Sequence, residues 1–257
     1  MKKGQKLWTR EELILAINLY CKIPFGKMHS RNEQVKDLAN IIGRTPSSIA
    51  LKLGNFASFD PSLKERGISG ASNASKLDKE IWSEFYNNWD TALLESEQLL
   101  AKRKHTTIEK LNDIYISVLQ KEGLDKSRLV KTRLHQSIFR TLVMAAYENS
   151  CCMTGINNLD LLIASHIVPW SKDQKNRLNP TNGFCLNALH DKAFDKGLIT
   201  VSAKDYTIKI SSRLKKKKDI ESIRIYFLKL DGKQIALPDK FLPAKEQLKI
   251  HNDYFIP

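Results

Sequence analysis

The chain has 257 residues, enough for two modest domains that each bury a core. An apolar share of 42% excludes wholesale disorder, and no run approaches the roughly 18 consecutive apolar residues needed to cross a bilayer. The formal charge of +14 favours a polyanionic partner, although charge alone does not separate a nucleic-acid binder from a merely soluble basic protein. The basic start Met1-Lys2-Lys3 is not followed by an apolar signal core, because Glu11 and Glu12 interrupt it, so a soluble cytoplasmic protein with no membrane partner is expected. Cys21, Cys151, Cys152 and Cys185 form no spaced framework and read as reduced thiols.

In chain order, Thr9 with Glu12 three residues on predicts a capped helix whose apolar side is Leu13, Ile14, Ile17, Leu19 and Tyr20. A second helix is expected near Asn32 to Ile42, stopped by Gly43, and Thr45-Pro46 starts a third. Two helices broken at Gly43-Arg44-Thr45 look like a helix-turn-helix or Myb-like module with Trp8, Leu38, Ile42, Ile49 and Leu53 as its core. Residues 58–75 read as loop, 76–119 as helical, and 121–131 as a charged linker. Trp82, Tyr86 and Trp89 sit at helical spacing, which favours core over base stacking.

From Thr132 a helix leads to the turn Cys152-Met153-Thr154-Gly155. A strand pair is expected over Leu161 to Val168, followed by a polar loop from Ser171 to Asn179. Leu198–Val201 and Tyr206–Ile210 alternate like hairpin strands. Arg213 with Lys215, Lys216, Lys217 and Lys218 is a basic run, read first as a solvated loop and second as a phosphate clamp. The tail, with Pro238 and Pro243, is expected to wrap the unit in short elements.

The chemistry concentrates in Ala164-Ser165-His166-Ile167-Val168-Pro169-Trp170 and in the stretch from Asn182-Gly183 through Leu186-Asn187-Ala188-Leu189-His190-Asp191 to Phe194-Asp195. An imidazole titrates near neutrality and can take a proton from water, while carboxylates suit a hard cation. Together with the Gln136-Phe139-Arg140 and Cys152-Thr154-Gly155 lead-in, this pattern resembles the HNH, or ββα-metal, endonuclease family, in its restriction-endonuclease-like branch, over roughly Thr132 to Ile210. The resemblance implies an HNH nuclease domain over 132–257 with a C-terminal extension; with residues 1–120 read as a helical DNA-recognition domain and connector, an α+β chain is expected.

It also implies site residues. His166 would be the base, Asn182 would brace the loop or reach the metal, and Asp191, nine residues after Asn182, would be the principal metal ligand. His190 would contact phosphate or support the site, and Asp195, four residues beyond Asp191, is either a further ligand or an ordinary helix charge. Ser165 stands where many relatives carry a metal ligand. The paired cysteines of zinc-bearing relatives are missing, with Asn187 and His190 at two of those places, so Mg²⁺ or Mn²⁺ is expected and structural zinc is not.

Double-stranded DNA is the implied partner. Arg44, Thr45, Ser47, Ser48 and Lys52 are the candidate readers on the third helix. A homodimer would supply two active sites for two strands, although no coiled-coil heptads mark one. The expected function is a metal-dependent DNA endonuclease of restriction type, with dependence on modified bases left open. The alternatives are a non-catalytic DNA-binding regulator on the same scaffold, or a homing or toxin-like nuclease of loose specificity.

Overall fold

The computed structural model describes residues 6–68, 74–114 and 126–257, with side chains in the last stretch described from residue 129. Two compact units divide it, Met1–Leu142 and Val143–Pro257, and the division falls inside a long helix. Helices and two small sheets make it an α+β chain.

The N-terminal unit is built on α1 (Arg10–Lys22). Thr9 accepts from the Glu12 amide while the Glu12 carboxylate accepts from the Thr9 amide, so two donors at the helix start are satisfied reciprocally. Ten consecutive residues, Glu12 to Cys21, are buried. Such a helix has no solvent face, and α2 (Glu33–Ile42), α3 (Pro46–Ala57), α5 (Lys76–Asn87) and α6 (Trp89–Arg103) pack around it. Asn32 caps α2, and Gly43 ends it in the left-handed conformation at φ +66°. Thr45 caps α3 with Pro46 in its first turn.

Residues expected as loop contain a short α4 (Pro61–Glu65). Its cap, Asp60, also accepts from the buried Tyr20 hydroxyl at 2.8 Å, a partner forty residues away that local composition does not reveal. The helical stretch after residue 76 is broken at Asn88, and α7 (Ile108–Leu111) closes it. Trp82 and Trp89 are buried, and Tyr86 lies between them in an aromatic row.

The long α8 (Lys126–Ala146) takes in the last residues of the expected linker, whose earlier part lies outside the described residues. In the C-terminal unit, β1 (Leu162–His166) pairs antiparallel with β2 (Gly183–Asn187) in the register His166 to Gly183. The expected strand pair within 161–168 is therefore one strand, and its partner arrives after the polar loop. Helix α9 (Ala188–Asp195) follows β2 directly, and β3 (Ile199–Val201) pairs with β4 (Ile208–Ile210). Short α10 (Ser212–Lys215) and α11 (Glu221–Tyr226) precede α12 (Lys245–Tyr254).

The core of this unit is aromatic. Phe184 meets Phe194 edge-on at 5.5 Å, and the His251 ring stacks on Phe194 at 3.7 Å. His251 Nε2 donates to the Phe194 carbonyl and Nδ1 accepts from the Thr200 hydroxyl, which uses both nitrogens of a neutral ring. Burial drives its pKa down to about 4. Gly197 turns the chain after α9 at φ +62°, and a Cβ there would lie 2.7 Å from the Tyr254 carbonyl oxygen.

Two outcomes follow for stability. Gly197→Ala combines a left-handed residue, which costs about 1–2 kcal/mol, with a clash against backbone, so thermal melting should fall by several degrees. Because the His251 pKa is depressed, only the unfolded chain takes up its proton between pH 6.5 and about 4. Stability present at neutral pH should therefore fall through that window by about 3 kcal/mol, read by urea unfolding at pH 7 and pH 4.5, and a His251→Gln variant should show a flatter dependence.

Candidate active site

The site is assembled by β1, the loop from 167 to 182, β2 and α9. The loop is laced to the strands by Asn182. Its backbone carbonyl accepts from the Ile167 amide at 2.9 Å, its side-chain oxygen accepts from the Val168 amide at 2.9 Å, and its side-chain nitrogen donates to the Val168 carbonyl at 3.1 Å. The residue is 0% exposed. Both ends of the amide are thus committed inside the protein. The structure supplies the loop brace and corrects the alternative of Asn182 as a metal ligand, since a buried, fully used amide presents no oxygen to a cation.

His166 ends β1, half-buried, with Nε2 3.0 Å from the Arg177 carbonyl. A carbonyl can only accept, so the proton sits on Nε2 and the lone pair on Nδ1. Burial holds the ring below the ordinary histidine pKa, opposed by the Arg177 hydrogen bond and by the charge of Asp195. Arg177 is itself placed by the loop, where its Nε donates to the Trp170 carbonyl and its guanidinium lies 5.0 Å above the Trp170 ring. Nothing in the sequence singled out this carbonyl, because any residue type could supply it.

Asp191 and Asp195 occupy one face of α9, the first half-buried and the second exposed. Burial raises the Asp191 pKa and the charge of Asp195 raises it further, while Ser165 and Lys192 draw it down. The Ser165 hydroxyl, 3% exposed, is near enough to act on Asp191 but meets no hydrogen-bond geometry with any protein group. The charge of Asp195 thus reaches His166, and Ser165 reaches Asp191, across the ββα unit. Among the described residues no three His, Cys, Asp or Glu side chains are disposed to enclose a metal. Asp191, whose proton affinity burial raises, with the Asp195 carboxylate one turn on and an unsatisfied hydroxyl beside it, fits an ion such as Mg²⁺, which binds through one or two carboxylates and keeps water or phosphate oxygens.

His190 is elsewhere. It is 2% exposed, with Nδ1 2.9 Å from Asn187 Oδ1 and Nε2 2.8 Å from the Tyr226 carbonyl. Burial keeps its pKa low, and a neutral ring can donate to only one acceptor. The Tyr226 carbonyl can only accept, so Nε2 carries the ring proton that it takes. This corrects the expectation of a catalytic or phosphate-contacting His190: the ring is a strut inside the fold.

Asn187 also donates to Thr154 Oγ1 at 3.1 Å and to Cys151 Sγ at 3.6 Å. Cys151 and Thr154, three apart before β1, thereby meet Asn187 and His190, three apart after β2. One thiol, one hydroxyl, one amide and one imidazole suit a hydrogen-bonded knot and do not fit a zinc tetrad. Cys152 and Cys185 are buried beside it, and burial pushes the Cys152 thiol pKa well up, as expected for inert packing.

An HNH endonuclease family model matches residues 151–202, the segment that holds β1, the loop, β2 and α9. The C-terminal unit carries an HNH nuclease domain. No curated protein matches the chain. The matched segment contains His166 at the end of β1 and the acidic face of α9. It does not extend to the N-terminal unit, where two candidate DNA contacts are corrected. Arg44 donates to the Lys6 and Leu7 carbonyls and to Glu12 at 2.7 Å, with its side chain 8% exposed above Trp8. Lys52 is buried against both oxygens of Asp78 at 2.9 Å. Both cations are spent on the fold. Thr45 and Ser47 remain exposed, Thr45 as a helix cap, and Ser48 is half-buried.

Removing the Asn182 amide tests the lacing. Asn182→Ala leaves the Val168 amide and carbonyl short of partners, and turnover on DNA should fall by about 10²-fold through displacement of the loop that aims His166. DNA affinity, measured in the absence of divalent ions, should stay within about threefold.

Proposed function

We propose that the chain is a metal-dependent DNA endonuclease of restriction type. The observation that carries this reading is the pairing of a neutral, carbonyl-oriented His166 with the acidic face of α9 inside an HNH domain. Hydrolysis of a phosphodiester needs a nucleophilic water, a proton acceptor and relief of charge at phosphorus. His166 Nδ1 takes the proton from water as its oxygen attacks phosphorus, and the bond to the 3′ oxygen breaks to leave 5′-phosphate and 3′-hydroxyl ends. A divalent cation held by Asp191, with Asp195 beside it, supplies charge neutralisation at the scissile phosphate when bound. Asn182 and the Arg177 carbonyl hold the imidazole in its working tautomer and orientation.

The N-terminal unit is the proposed reader of DNA, on the strength of α2 and α3 joined through Gly43-Arg44-Thr45 and the overall positive charge. With Arg44 and Lys52 withdrawn, the groups this module offers are the hydroxyls at the start of α3. A unit of this kind would give the nuclease its sequence or modification preference, and a second copy of the chain would cut the second strand.

Incubation of plasmid and of methylated and hydroxymethylated DNA with Mg²⁺ or Mn²⁺, followed by sequencing of the ends, tests the reading. Discrete ends are expected, and His166→Ala should lose about 10²- to 10⁴-fold in turnover. Asp191→Asn should abolish Mg²⁺-dependent cutting while leaving duplex binding. A His166→Ala protein that cuts as well as the wild type would overturn the mechanism.

A further inference from the structure

The basic run after β4 opens in a short helix and continues through the turn 216–219. Residues 212–215 form α10, whose Leu214 is buried, and Ser211 caps it. The arm is tied to α9 at both ends. At its start the Ser211 amide donates to the carbonyl of Leu198, three residues past Asp195. At its finish the carbonyl of Tyr226, the last residue of α11, accepts from His190 in the first turn of α9, and the Phe227 ring packs 5.4 Å from that imidazole. Residues 211–226 therefore bridge the catalytic helix from one end to the other, a length of about 12 Å. Asp231 stiffens the bridge by accepting from the Ile210 amide at 3.0 Å and from Lys215 Nζ at 2.7 Å.

Along this arm Arg213, Lys216, Lys217 and Lys218 are exposed, and no ion pair engages them among the described residues. The carboxylates nearest in sequence do not neutralise the group: Glu221 pairs with Arg224, Asp231 with Lys215, and Asp219 alone stands beside four cations. Four cations without an ion pair, close together on a segment anchored at both ends, repel one another, and a polyanion relieves that repulsion. A loose charged loop would adapt to solvent. This element is instead held alongside the helix that bears Asp191 and Asp195.

We propose that Arg213, Lys216, Lys217 and Lys218 form a clamp for the phosphate backbone of double-stranded DNA, which lays the duplex along α9. This deepens the nuclease reading and rests on it for the identity of the polyanion. The clamp contacts phosphates and carries no sequence preference of its own. Its position, fixed by His190 and Ser211, sets which phosphate lies beside His166.

The test is the salt dependence of binding of the full-length protein to a 30-base-pair duplex in EDTA, by fluorescence anisotropy. Each neutralised phosphate contributes about 0.9 to the slope of log affinity against log salt concentration. The variant Arg213→Gln, Lys216→Gln, Lys217→Gln and Lys218→Gln should lower the slope by about 3.6 and weaken binding more than tenfold at 150 mM salt, with the melting temperature unchanged. A charge-matched control, Lys204→Gln, Lys229→Gln, Lys233→Gln and Lys249→Gln, should change the slope by less than 1. An unchanged slope in the fourfold variant, or an equal loss in the control, overturns the clamp. So does retained duplex binding with lost binding to anionic lipid vesicles, which would assign the arm to a membrane surface. If the wild type binds with the expected slope but cuts no DNA under any divalent ion, the nuclease reading fails while the clamp stands.

Discussion

The site depends on one buried amide. Asn182 closes three hydrogen bonds onto Ile167 and Val168, and through them fixes where β1 ends and where the loop departs. The loop then returns the Arg177 carbonyl to His166 Nε2, which decides both the tautomer and the direction of the lone pair. An unmade hydrogen bond at a buried amide costs about 1–3 kcal/mol, so the alternative loop positions are disfavoured as a set. An imidazole on a strand end is otherwise free to rotate. The lacing gives an ordinary histidine a fixed orientation.

Helix α9 is placed by a second device on its other flank. Cys151, Thr154, Asn187 and His190 tie the turn before β1 to the cap of α9, and His190 carries the tie onward to Tyr226. Asn187 does double service, since the oxygen that caps the helix also faces the histidine ring. The two carboxylates ride on the same helix. Their helix is thus held from behind by hydrogen bonds and from the side by Phe194, which stacks between Phe184 and His251. Rigidity of this kind lets two like charges stay close without the helix unwinding.

What was legible in the sequence was local. The Thr9–Glu12 capping box, the Asn32 cap, the Gly43 stop and the Thr45-Pro46 start each need only four or five residues to be recognised, and each formed as read. The spacing from His166 to Asn182 and Asp191 carried the family resemblance, and the matched segment 151–202 contains all three. What was not legible depended on partners far along the chain. Lys52 finds Asp78 and Arg44 finds Glu12, so two cations that looked exposed on a helix became interior ion pairs. His190 was misread for the same reason, because its partner Tyr226 lies thirty-six residues on. The Arg177 carbonyl had no signal at all, since a backbone oxygen is common to every residue.

The same contrast explains why charge was a poor guide to the DNA-facing surface until partners were counted. A cation contributes to a polyanion site only when the fold has not already neutralised it. In the N-terminal unit the cations nearest the presumed recognition helix are stacked on Trp8 and paired with Glu12 or Asp78. In the C-terminal unit the run after β4 keeps four of its five cations unpaired on a segment that its anchors prevent from folding back. Net charge belongs to the whole chain, but the field that attracts DNA comes from the unpaired remainder. That remainder includes an arm fastened to the helix that carries Asp191 and Asp195.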